Sequence, residues 1–246
     1  MGIMLSCVYA TRISRYLLTG LKESILVLIK FRVWGTLRYI CHAEMLKVFQ
    51  RACARAGIKV QHSHGFNPRP RLSLPLPRPV GVESDGDLLC LWCSTVRRPA
   101  EMLDGRSDFC DLVKAALSEQ LPNGCELLSV EVSEARSVPH PRCATYVLSM
   151  PPEYADNRLK ETIKLLLESK HIIVERKINA EKLKIKEVDV RPFLESIELD
   201  GKGVIVKCRI TSAGSIRVDE ILKLLEIDSQ KLTAPIKRTD IQWQEV

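Results

Sequence analysis

Apolar residues recur in two rhythms along this chain, and the rhythms change at glycines and prolines. Ile25 to Trp34 is an apolar run that enters Lys30-Phe31-Arg32-Val33, where polar and apolar positions alternate, so a strand is expected. Gly35-Thr36 turns the chain. From His42 to Ala56 the apolar positions Met45, Leu46, Phe49, Ala52, Cys53 and Ala56 return at steps of three and four, the pattern of a helix with one apolar face. Gly57 is placed to stop that helix. A second strand is expected over Lys59 to Ser63. The stretch Gly65-Phe66-Asn67-Pro68-Arg69-Pro70-Arg71, followed by Leu72 to Pro77, is too rich in proline for a helix or a central strand and reads as a rigid extended loop or edge. A short strand at Leu88 to Cys93, a helix over Asp104 to Leu121 and a strand at Leu127 to Val132 follow. The order strand, helix, strand, strand, helix, strand is that of a ferredoxin-like unit.

Residues 133 to 143 are polar and contain prolines, and they read as a linker. Beyond them the rhythms return: a strand at Ala144 to Met150, a helix at Asn157 to Ser169, a strand at Ile172 to Arg176, and an extended piece from Val188 toward Ile197. Val204 to Ile210 alternates around Lys207 and Arg209, and Val218 to Leu225 is a short helix. The expected fold is therefore α+β. Two ferredoxin-like (βαββαβ-type) halves, 25 to 132 and 144 to 246, have antiparallel sheets covered by helices. Residues 1 to 24 read as a poorly ordered leader. Its Met1-Gly2 with Ser6 fits a myristoylation pattern too short to carry weight.

Charge alters this picture at one place. Residues 30 to 78 hold ten Lys or Arg against one acid, Glu44, a local net charge of +9 in a chain whose formal net charge is +7. Such a cluster repels itself unless a polyanion or an acidic partner neutralises it. The nine cysteines are an odd number without framework spacing. With no secretory signal visible, reduced thiols in a cytoplasm are the expectation. Ile25 to Ile29 is too short to span a membrane.

The candidate chemistry lies mostly inside the basic segment. Lys47, Arg51 and Arg55 fall four apart and form one stripe on the predicted helix. In the loop, Gly65 permits close backbone approach and Pro68 and Pro70 stiffen the chain. Arg69 and Arg71 can grip phosphate bidentately, while Phe66, His62 and His64 offer flat rings for unpaired bases beside Asn67. A structural crossover is the competing reading. His42 at the helix start and His64 are weak candidates for a catalytic base, because no second catalytic group accompanies either. Cys90-Leu91-Trp92-Cys93 is a lone CxxC without a second pair, so buried thiols are expected rather than a metal site. Farther on, Arg191 offers an anion contact or a local pair with Asp189. Ser215 is placed to cap the helix after Gly214-Ser215-Ile216-Arg217, with Arg217 near a phosphate.

The same segments resemble a bacterial family known as radical SAM-linked proteins. The resemblance rests on Phe31-Arg32 through Gly35, Leu37-Arg38-Tyr39-Ile40 and His42, on Gly65 to Arg71, and on Gly81-Val82-Glu83-Ser84. It continues in Val188 to Pro192 and Gly214 to Arg217. Where the family has a Ser and an Asp flanking the helix start, this chain has Cys41 and Glu44, and Cys is a poor cap, which predicts a helix start weaker by up to about 1 kcal/mol. The resemblance implies association with a radical SAM enzyme, and no cluster-binding cysteine set is visible here. The expectation is a non-catalytic accessory protein without cofactor or metal that binds an anionic partner, RNA above all, through Arg38, His42, Lys47, Arg51, Arg55, the 64–71 loop, Arg191 and Arg217. An RNA-processing enzyme using His42 or His64, and a module docking on an acidic partner enzyme, are the alternatives.

Overall fold

The computed structural model describes residues 23–95, 106–135, 137–179 and 184–244. The expected leader, apart from its last two residues, and the first residues of the expected 104–121 helix lie outside them. The described chain divides into two units, one of residues 23–80 and 84–140, the other of 81–83 and 141–244. It is a mixed α and β protein, with mostly antiparallel strands and four α-helices among the described residues.

In the first unit the chain runs β1 (Glu23–Val33), a 3-10 turn (Gly35–Tyr39), α1 (His42–Arg55), β2 (Leu72–Ser73), β3 (Glu83–Thr95), α2 (Arg106–Ser118) and β4 (Cys125–Ser133). β1 lies between β4 and β3, antiparallel to both, and β2 pairs with β3. The alternation in β1 determines which face is covered. Ile25, Val27, Ile29, Phe31 and Val33 join Met45, Phe49, Ala52 and Cys53 of α1 and Phe109, Val113, Ala116 and Leu117 of α2 in one core. Phe31 meets Phe49 edge-on, with ring centroids 4.8 Å apart, a geometry aromatic pairs favour. Gly57 ends α1 at φ +69°, and its N–H donates to the Ala54 carbonyl, the left-handed stop its position predicts. Gly124, at φ +92°, enters β4 so close to β1 that a Cβ would sit 2.7 Å from the Trp34 carbonyl oxygen.

The second unit runs β5 (His140–Ser149), α3 (Asn157–Glu168), β6 (Ile173–Asn179), β7 (Lys184–Asp189), β8 (Leu194–Leu199), β9 (Gly203–Arg209), α4 (Val218–Leu224) and β10 (Lys237–Gln244). The order is β10-β5-β9-β8, and β6 with β7 forms a separate two-stranded sheet. Asp156 caps α3 by accepting from the Leu159 N–H at 2.8 Å, and Leu159 and Ile163 are its buried face. β4 ends and β5 begins inside the stretch 133 to 143, so part of it is strand.

Local differences from the pattern reading have physical reasons. The expected strand at Lys59 to Ser63 is reduced to single bridges, Val60 with Cys93 and His62 with Pro70, because a proline lacks the donor a longer ladder needs. β3 begins five residues before Leu88, running through a charged stretch with Ser84 and Asp87 buried. β10 gives no clean alternation, and Arg238 within it is fully buried.

Candidate nucleic-acid interface

The basic stripe forms as its spacing requires. α1 turns Met45, Phe49, Ala52 and Cys53 inward and leaves Lys47, Arg51 and Arg55 exposed. Arg55 donates one bond, to the Gln120 carbonyl at 3.2 Å. The weak-cap expectation meets a compensation at the helix start. The Cys41 N–H donates to the Glu44 carboxylate at 2.8 Å, so the acid three residues on supplies half of a capping box. That bond, the Cys41 thiol and the nearby Lys47 charge hold the Glu44 carboxyl below its ordinary range. Lys47 therefore has an acid one turn away, which the i,i+4 count passes over.

The proline-rich loop is a short finger. Its root is built from edge bonds: Gln61 N–H to the Trp92 carbonyl at 2.8 Å, Trp92 N–H to the Arg71 carbonyl at 3.0 Å, and Arg71 N–H to the Gln61 carbonyl at 2.6 Å. One step outward, Ser63 N–H donates to the Arg69 carbonyl at 2.8 Å, and Arg69 N–H donates to Ser63 Oγ at 3.0 Å. The tip runs through His64, Gly65 at φ +141°, Phe66 and Asn67. Phe66 has 106% relative exposure, with its whole ring in solvent. His62, His64, Asn67 and Arg69 are exposed around it.

Arg71 differs from Arg69. Its guanidinium lies 4.8 Å from the centroid of the Trp92 ring and donates to Gln61 Oε1 at 3.2 Å. The same oxygen accepts from Ser24 Oγ at 2.9 Å. Arg71 thus ties the finger to β3 and, through Gln61, to β1. Neither Gln61 nor Trp92 stands out in the sequence. Strand register, which pairs Trp92 with Leu26, places the ring on the face away from α1.

The other predicted contacts are spread more widely. Arg38 donates to the Gly35 carbonyl at 2.8 Å and to Tyr39 Oη at 2.7 Å, and stacks 4.4 Å from the Tyr39 ring. Arg78, counted in the basic cluster, is not a surface charge. It is buried, donates to the carbonyls of Arg38 at 2.7 Å and Leu37 at 3.3 Å, and approaches the buried Asp87 at 3.9 Å. It fixes the 3-10 turn beneath Arg38. His42 opens α1, and its Nδ1 is buried without a hydrogen-bond partner among the described residues.

Arg191 and Arg217 belong to the second unit. The Arg191 guanidinium donates to three backbone carbonyls: Leu167 at 2.7 Å, Ser169 at 3.0 Å and Leu194 at 2.9 Å. It closes the C-terminal end of α3, where a cation is favoured. Asp189 binds the Ile172 N–H at 2.9 Å, the Arg191 N–H at 3.1 Å and His171 Nδ1 at 2.7 Å. Those bonds, the Ile172 one foremost, hold its carboxyl below the ordinary range. The pair read as an anion contact or a local ion bridge is a backbone knot. Arg217 itself, rather than Ser215, is the N-cap residue of α4, and its N–H donates to Glu220 at 2.8 Å. The Ser215 carbonyl instead accepts from Arg176, whose guanidinium also grips the buried Glu220.

Among the described residues no group of three or more His, Cys, Asp or Glu could hold a metal ion. Cys90 and Cys93 are buried, and burial pushes the Cys90 thiol up to about 12 and Cys93 upward as well. No helix among the described residues is long and apolar enough to cross a membrane. No curated protein matches the sequence. Residues 27–230 match a family described as an uncharacterized protein conserved in bacteria (DUF2344), and this chain belongs to that family.

Proposed function

We propose that the chain is a non-catalytic accessory protein that binds single-stranded or looped RNA through the finger and the basic face of α1. The observation that carries this reading is Phe66, a fully exposed aromatic ring on a finger pinned at its root and flanked by Arg69, Asn67 and two histidines. An exposed ring costs solubility and contributes nothing to a core. A ring on a pre-ordered loop loses little entropy when a base stacks on it, and such stacking contributes about 1–3 kcal/mol per base. Lys47, Arg51 and Arg55 supply backbone charge without sequence preference. The motif resemblance to radical SAM-linked proteins extends the reading, with this chain presenting an RNA to a radical SAM enzyme.

The strand orders support the architecture we assign. β4-β1-β3-β2 in the first unit and β10-β5-β9-β8 in the second each follow the 4-1-3-2 order of a ferredoxin-like βαββαβ unit, with β6 and β7 inserted after α3 in the second. Nuclease-stripped protein titrated with a mixed pool of single-stranded RNA tests the function. Binding that falls steeply with salt and weakens in Phe66→Ala supports it. No retention of RNA at low salt, with co-purification of a protein partner that survives nuclease, refutes it in favour of a protein-docking module.

A further inference from the structure

A second candidate site lies wholly within the second unit. A cleft of about 170 Å³ opens between the Tyr154 turn, the start of α3 and the end of α4. Its volume is close to the about 150 Å³ of an apolar cavity that admits one benzene. Met150, Leu159 and Leu225, all buried, and Ile227 give it an apolar floor. Its mouth carries the ion pair of Arg158 with Glu226, and Lys231 with its ammonium 4.9 Å from the Tyr154 ring.

Three local rules are broken at this mouth, all by one ion pair. Glu226 follows α4 at φ +53°, the only non-glycine residue with positive φ among the described residues. It sits in a helix stop where Glu226 N–H donates to the Lys223 carbonyl and Ile227 N–H to that of Leu222, a position glycine normally takes because a side chain is strained there. Its carboxylate lies at the negative end of α4, and the Arg158 guanidinium lies in the first turn of α3, at its positive end. Each charge opposes the helix terminus beside it. Violations of local preference that cluster at one place mark sites kept for function.

We propose that this cleft binds a small apolar zwitterion, an α-amino acid with a side chain of leucine or methionine size. The apolar side chain enters between Met150, Leu159 and Leu225. The ligand carboxylate takes the place of Glu226 on the Arg158 guanidinium, beside the Asp156 carboxylate that stays on the Leu159 N–H as the cap of α3. The ligand ammonium sits where Glu226 and the C-terminal end of α4 add their negative potential. The Arg158–Glu226 pair exchanges one partner for another without leaving a charge unmatched. Both side chains are mostly exposed, at 79% and 59%, so the exchange needs no opening of the core. This inference is independent of the RNA reading.

The test is a titration of the full chain with L-leucine and L-methionine, followed by amide chemical shifts. Leucinamide lacks the carboxylate and 4-methylpentanoate lacks the amine. The expected result is saturable shifts at the start of α3 and the end of α4, with at least tenfold weaker binding for both analogues and for Arg158→Ala and Glu226→Ala. The two variants keep wild-type spectra elsewhere. Absence of saturable shifts at ligand concentrations on the order of 10 mM overturns the proposal, as does equal binding of either analogue or of both variants.

Discussion

Replacing Arg78 by methionine removes a buried cation and keeps most of its volume. The guanidinium donates to the Arg38 carbonyl at 2.7 Å and, at 3.3 to 3.5 Å, to those of Leu37, Pro79 and Ile40, and it faces the buried Asp87 at 3.9 Å. A hydrogen bond to a charged group contributes about 1.5–3 kcal/mol, and only the first of these is short. Removing one partner of a buried ion pair costs about 3–5 kcal/mol, because the other charge stays buried. We therefore expect Arg78→Met to destabilise the first unit by about 3–5 kcal/mol, against about 5–15 kcal/mol for a whole domain. Arg78→Lys should lose less, since the charge remains but one ammonium cannot reach all four carbonyls. With two units, a single unfolding curve is not two-state. The assay is hydrogen exchange across a urea series, read on peptides from β3 and α1. A loss below about 1 kcal/mol in Arg78→Met, on the same scale, would refute the assignment of Arg78 as the internal clamp of the 35–40 turn.

Other expectations follow from the same contacts. Arg69→Ala should weaken RNA binding and leave the finger's exchange protection unchanged. Arg71→Ala should weaken both, and binding loss with full protection would make Arg71 a ligand contact. Native-state alkylation mapped by mass spectrometry should modify the exposed Cys41 first, and Cys53, Cys125 and Cys208 slowly, because burial pushes those thiols up to about 12. Fast modification of Cys53 contradicts the packing of α1. Asp189 is held low by its bonds to Ile172, His171 and Arg191. A depressed carboxyl contributes stability above its unfolded value, and that stability is lost as pH falls through the folded value. The β6–β7 root should therefore lose exchange protection in acid and not near neutrality, and Asp189→Asn should remove that pH dependence.

Much of this was legible in the sequence, and the gaps have causes. The α1 face was visible because Met45, Phe49, Ala52 and Cys53 repeat at helical steps with no competing signal. β1 and β9 alternate or run apolar, so their burial could be read directly. β10 was not legible. Its buried Arg238 reads as a surface residue until neighbouring strands enclose it. Arg78 and Arg191 misled for a related reason. A guanidinium that meets backbone carbonyls looks, in sequence, the same as one that awaits a phosphate. The Gly and Pro pattern marks the finger but not its anchor, because Trp92 reaches Arg71 only through strand pairing. The Arg158–Glu226 cleft joins residues 68 positions apart and left no local trace.

RNA binding by the finger is tested by equilibrium titration of a single-stranded RNA pool across about 50–200 mM salt, for wild type and for Phe66→Ala/Arg69→Ala. For wild type, log affinity should fall linearly with log salt. The double variant should bind more weakly at every salt, with a slope shallower by about 0.7 for the lost phosphate contact. Superimposable curves for the two proteins, or no binding by wild type at the lowest salt, would contradict it.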